Sequence, residues 1–276
     1  MSLYGFRKLY SDLVTADGTL AVVYLTWVTL LGRTYGRAGV EVYRPDGTRT
    51  VLLGADPAPL EPRTSEPLRI ALPKGELVLA YAPVHRALDV GPATTCPSLH
   101  WSVLLARGAA TLTIPELGAL EGVGYVDWVT ISRPTRTLGL RLLDWGRVHT
   151  PRQTLVYTSL EHEDGRRWQV SGAWQVGRED ARVDGGVSVA IDDRGSGHVD
   201  AGPERVSLHA ERVLHDGDAF GPERIASRAD RIVVNALGGP TDETRWMGRA
   251  TMADDEGRAV YERVRFGAAA TERTRR

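Results

Sequence analysis

Along most of this chain apolar and polar residues alternate with a period of two, and runs with helical periodicity are scarce. The pattern predicts a strand-rich protein. Residues 20–31 read as one long buried strand, and 40–53 as two short strands joined by a Pro45-Asp46-Gly47 turn. Residues 155–160 and 168–176 predict a hairpin about Asp164-Gly165, with Trp168 and Val170 on one face. Further strands are predicted at 187–191, 206–214, 232–237, 245–252 and 259–266, separated by the turn sequences DDRG, HDGD and ADDEG. The proline-rich stretch ADPAPLEPRTSEP, 55–67, cannot be a central strand and predicts a surface loop or lid. GRTYGRAG, 32–39, reads as a glycine-containing turn loop, because it lacks both the glycine order and the following helix of a phosphate loop.

So many strands without crossover helices must close into barrels or stack as sandwiches, since otherwise long edges stay unpaired. Two small antiparallel barrels side by side suit the length, so the expected fold is all-β. A division is expected near 149–153, giving a first barrel over 1–150, a second over 151–267 and a flexible tail over 268–276.

Composition narrows the partners. With 276 residues, 42% hydrophobic and 25% charged, the chain reads as an ordinary soluble protein. The formal charge of -1 and the absence of a basic run before the terminal ERTRR argue against nucleic acid. A single cysteine, Cys96, excludes an internal disulfide framework and a cysteine-rich zinc cluster, and the dispersed histidines offer no HExxH spacing, so no metal is expected. No apolar run reaches membrane-spanning length, which makes a cytoplasmic protein the expectation.

The candidate chemistry is concentrated between Ser98 and Arg147, in LHWSVLLARGAATLTI, EGVGYVDWV and LRLLDWGRV. These segments place His100, Trp101, Tyr125, Asp127, Trp128, Asp144 and Trp145 on what read as three neighbouring strands. Alternation puts Tyr125 and Asp127 on one face, with Val126 and Trp128 on the other. If the Asp127 face lines a barrel cavity, desolvation raises the carboxyl pKa, and the neutral acid can protonate an unactivated alkene while aromatic rings stabilise the cation. Gly122 and Gly124 suggest a bulge or a close approach at the start of that strand. The plainer alternative is an Asp127 that pairs with Arg141 or Arg147 and braces two strands, with Tyr125, Trp101, Trp128 and Trp145 as packing residues.

The order HW, GYVD, LDWGRV and then LVYTSLEHEDGRRW resembles the carotenoid 1,2-hydratase (hydroxyneurosporene synthase) family and its lipocalin-like relatives over roughly 99–168. The resemblance implies two lipocalin-like barrels and a cofactor-independent, acid-catalysed addition of water to an isoprenoid double bond. It further implies Asp127 as proton donor, Tyr125 beside it and Trp101 as an aromatic wall; His100, Trp128 and Trp145 are candidate substrate contacts from their place in the same aromatic block. His100 stands immediately before Trp101, so alternation turns it to the other face. The wider superfamily also contains cyclases. The expected reaction is therefore hydration or cyclisation of a polyene by a lyase, and the alternative is a non-catalytic binder of a hydrophobic small molecule. The expected partner is a hydrophobic small molecule, with peripheral membrane association as a further possibility.

Overall fold

In a computed structural model the described residues are 4–54, 66–72, 75–83, 87–115, 117–178, 180–218, 239–267 and 270. The predicted strand at 232–237, most of the proline-rich loop and most of the tail lie outside them. The chain is all-β, as the alternation predicted: two nine-stranded antiparallel sheets, each curled into a nearly closed barrel. A short 3-10 turn spans Thr135–Thr137.

The first sheet uses β1 (Tyr4–Thr15), β2 (Leu20–Leu30), β3 (Arg33–Tyr43), β4 (Arg49–Leu53), β5 (Leu68–Leu72), β6 (Gly75–Pro83), β7 (Leu88–Ala93), β8 (Cys96–Ile114) and β9 (Gly118–Ile131). Their order is β4-β3-β2-β1-β9-β8-β6-β5, with β7 also on β8. The sheet curls until its edges meet: a Cβ added at Gly54, just past β4, would lie 2.9 Å from the Ala71 carbonyl oxygen of β5. The glycine loop predicted at 32–39 is in fact strand β3 from Arg33 onward, and the turn contracts to Leu31 and Gly32.

The second sheet uses β10 (Leu140–His149), β11 (Gln153–His162), β12 (Arg167–Gln175), β13 (Arg182–Asp184), β14 (Val187–Ile191), β15 (Gly197–Ala201), β16 (Glu204–Gly217), β17 (Thr241–Met252) and β18 (Asp255–Phe266). The order is β13-β12-β11-β10-β18-β17-β16-β15-β14, and β14 returns against β11 and β12. Its interior holds Tyr157, Trp246 and Tyr261 among aliphatic residues, with the Trp246 and Tyr261 rings stacked at 5.5 Å. Tyr261 donates to the Gly195 carbonyl at 2.6 Å, which ties a turn to the barrel interior.

Compact units follow the sheets. The first is Met1–Ala93 with Pro97–Arg133, and the second is Thr94–Cys96 with Pro134–Arg276. The division therefore falls at Arg133/Pro134, whereas the sequence pattern placed it at 149–153. That stretch is a hairpin turn, closed by Thr150 N–H to the Gln153 carbonyl at 2.9 Å, and so tight a connection pairs β10 with β11. The LDWGRV strand consequently belongs to the second sheet.

In the first barrel, Leu9 and Leu13 of β1, Val23, Leu25 and Trp27 of β2, Val40 of β3, Ile70 of β5 and Leu112 of β8 converge in one apolar cluster with Val126 of β9. Residues from both ends of the strand order meet only on the inside of the curl, so this face is the barrel interior. Trp128 packs on the cluster and lies 5.8 Å from Trp27, ring to ring.

Candidate functional site

Period-two geometry also determines what the opposite face carries. On β9, Tyr125 and Asp127 share it, as the alternation predicted. The expectation that this face lines the first barrel is corrected, because Val126 and Trp128 take the interior and Asp127 points away from it. Asp127 is nevertheless buried, at 4% exposure, and Tyr125 is fully buried.

β1 and β9 are antiparallel, with Tyr10 opposite Asp127 and Asp12 opposite Tyr125. Two Tyr-x-Asp segments, Tyr10-Ser11-Asp12 and Tyr125-Val126-Asp127, thus lie head to tail on one face. Within each, the phenol donates to its own aspartate at 3.0 Å. The Tyr10 and Tyr125 rings are 6.2 Å apart and tilted by 58°. Asp12 is as deeply buried as Asp127, and the two aspartates are diagonal neighbours on paired strands, a placement that sets Cβ atoms about 7 Å apart.

Trp101 completes the site from β8, donating its indole N–H to Asp127 Oδ2 at 3.2 Å. Register shifts on β8 between Val103 and Leu105 and between Leu105 and Gly108 make this possible. The shift between Leu105 and Gly108 turns Leu105 into the core; the one between Val103 and Leu105 restores the alternation, so Trp101 keeps the Asp127 face but lies opposite Val129 instead of Ile131, two residues nearer Asp127. The close approach predicted at Gly122 is present: a Cβ there would lie 2.1 Å from the Val14 carbonyl oxygen. At Gly124 it would lie 2.6 Å from the Ala110 Cβ.

A third acid lies on this face. Glu41 of β3 accepts from Tyr43 and also from the Arg49 guanidinium at 3.2 Å, which supplies a countercharge. The donors Tyr125 and Trp101 are neutral. Both are directed at Oδ2 of Asp127.

Three of the predicted site residues, Trp101, Tyr125 and Asp127, are brought together. Three others are placed elsewhere. His100 is opposite Thr130 on the Trp128 side of the sheet, partly exposed and 2.5 Å from Asp89, whose carboxyl is held below the usual range by the His100 hydrogen bond. Trp128 is a core residue of the first barrel. Trp145 lies on β10 in the second sheet, opposite Thr158 and Glu262. Asp144, on the same strand, pairs with Arg263 at 2.7 Å; burial pushes its carboxyl upward and the guanidinium opposes that shift. Arg141 is engaged by Glu161, and Arg147 is a fully buried residue of β10.

Tyr10 and Asp12 escaped the sequence reading. Their signal was the Tyr-x-Asp spacing itself, repeated at 10–12 and 125–127, but only strand pairing makes neighbours of segments so far apart. An open cleft of about 520 Å³ lined by Pro151, Arg152, Gln153, Gln175, Val176, Ala253 and Asp255 belongs to the second unit and contains none of these residues.

No protein-family model matches the sequence, and no curated protein sequence matches it. Solved structures do match its fold. A protein of Nitrosomonas europaea provisionally assigned as AttH is 12% identical, with 95% of this chain and 92% of that chain covered and a TM-score of 0.59. CghA is likewise 12% identical, with 97% and 90% covered and a TM-score of 0.62. Kievitone hydratase from Nectria haematococca is 10% identical, with 96% and 90% covered and a TM-score of 0.56. At such identities the likeness is one of fold alone: two antiparallel β-barrel sheets in tandem, matched over nearly the whole chain.

Proposed function

We propose that this protein is a cofactor-independent hydratase or cyclase acting on a polyene or isoprenoid double bond, with Asp127 as general acid. The observation that carries the reading is the buried Asp127 carboxyl, held by the neutral donors Tyr125 and Trp101 on a tyrosine-rich sheet face. The neutral acid form of Asp127 supplies the transferable proton. Protonation of one alkene carbon moves the π electrons into the new C–H bond and leaves a cation on the other carbon. Neighbouring ring faces favour that charge. Water adds its lone pair to the cation and returns its extra proton to Asp127, which regenerates the acid; in a cyclisation an internal double bond forms the new C–C bond instead, the charge passes to its far carbon, and loss of a proton from the adjacent carbon to Asp127 forms the product double bond and regenerates the acid. Asp12 offers a second carboxyl on the same face, where the attacking water can be held. The names of the structural neighbours agree with this chemistry, since one is a hydratase.

The substrate class follows the family resemblance of the 99–168 segment: an acyclic carotenoid-type polyene. The test is incubation with neurosporene in water enriched in heavy oxygen, followed by mass spectrometry of the extract. Incorporation of one labelled water by the wild type, and none by Asp127→Asn, is expected. Equal product from both proteins would overturn the acid role. A second reading, binding without turnover, is favoured by the convergence of both donors on one oxygen, which also suits a carboxylate held only for its packing. It predicts quenching of tryptophan fluorescence by the polyene with no product.

A further inference from the structure

The β2–β3 hairpin of the first barrel ends in an arrangement that folding alone does not explain. Leu31, at its tip, is 73% exposed and has a φ of 50°, a left-handed backbone that glycine or asparagine adopts more readily. An apolar side chain is thus held in water on an unfavourable backbone. Tyr35, four residues on, is 49% exposed.

Strand register shows what surrounds them. On the face opposite the barrel core, Tyr4, Leu30 and Arg33 form one row across β1, β2 and β3. Phe6, Val28 and Tyr35 form the next, and Lys8, Thr26 and Arg37 the third. The hairpin end therefore carries an apolar band, with Leu31 projecting beyond it and cations in the rows on both sides. None of the nine residues is acidic.

We propose that this hairpin end is a membrane-docking surface for a bilayer carrying anionic phospholipid. Leu31 inserts at the level of the acyl boundary, Tyr35 sits at the headgroups, and the exposed Arg33 faces the phosphates. Charge complementarity selects lipid over a second copy of the chain. A two-fold contact through this patch would set Arg33 against its own counterpart, which is repulsive. Docking of this kind would place the barrel beside a reservoir of apolar molecules, but the surface stands independently of what the protein does with them.

Co-flotation of the full chain with vesicles tests this, using phosphatidylcholine alone or mixed with phosphatidylglycerol, at low and high salt. Binding to the anionic vesicles that weakens in high salt is expected. Leu31→Asn, whose new side chain tolerates the left-handed backbone, should lower the partition coefficient on the order of tenfold, and Arg33→Glu should lower it as well. Leu31→Gly serves as the second variant, and both should unfold at the wild-type urea concentration or above it. Absence of binding to anionic vesicles, or equal binding by Leu31→Asn and wild type, would overturn the proposal. So would a concentration-dependent dimer that Leu31→Asn abolishes, since the patch would then be an interface between copies.

Discussion

Removing the Asp127 carboxyl in two different ways separates its hydrogen bonding from its acidity. Tyr125 and Trp101 donate to Oδ2 at 3.0 and 3.2 Å, and all three residues are buried. Asp127→Ala leaves both donors without this acceptor. A buried unsatisfied group costs roughly 1–3 kcal/mol, so the substitution should destabilise the first unit by about 2–6 kcal/mol. Asp127→Asn keeps a carbonyl oxygen where Oδ2 stood, accepts both bonds and should stay within about 1 kcal/mol of wild type. Both variants lose the transferable proton, so turnover should fall about 10²–10⁴-fold in each. Urea denaturation followed by tryptophan fluorescence reads the stability, and product formation from the polyene reads the chemistry. Equal destabilisation by Asn and Ala would refute the reasoning, because it would mean that the negative charge of Asp127, not its acceptor oxygen, is what the fold requires.

Other parts of the structure make separate predictions. Asp144→Ala strips the carboxylate from Arg263, whose side chain is only 12% exposed, and should cost about 3 kcal/mol in a urea melt of the second unit; a change under about 1 kcal/mol would contradict the pairing. Gly146→Ala would bring a Cβ to 2.6 Å from the Tyr157 hydroxyl and 2.7 Å from its ring, so it should lose about 1–3 kcal/mol, most of it recovered in the double variant with Tyr157→Leu. The phenols of Tyr81, Tyr157 and Tyr261 are pushed above their ordinary 10.0, mainly by burial. The neutral phenol is favoured in the fold, so this stabilisation is complete below pH 10.0 and is lost as the pH rises through the shifted values. In an absorbance titration Tyr157→Phe should therefore remove a phenolate from the unfolded protein but none from the native one at moderately alkaline pH, and loss of a native phenolate would sink the assignment.

Much of the architecture was already written in local patterns. The strands β11, β12, β14 and β18 follow directly from alternation and turn residues, because period two and turn chemistry act over a few residues and need no partner. Tyr125 and Asp127 sharing a face is legible for the same reason. Which face turns inward is another matter, since alternation is symmetric between faces; only closure of the sheet, bringing Ile70 of β5 to the cluster that holds Leu25 of β2, makes the Val126 side the interior. Closure likewise sends Trp128 to the core. The bulges of β8, which no local pattern announced, slide Trp101 two residues along β9 toward Asp127. Tyr10 and Asp12 became part of the site only through the pairing of β1 with β9, a contact between distant segments that tertiary structure alone specifies. Sequence by itself determined the all-β class and the chemical character of the Tyr-x-Asp strand. Tertiary structure decided its neighbours and the side on which chemistry can occur, because both depend on which strands meet when the sheet curls.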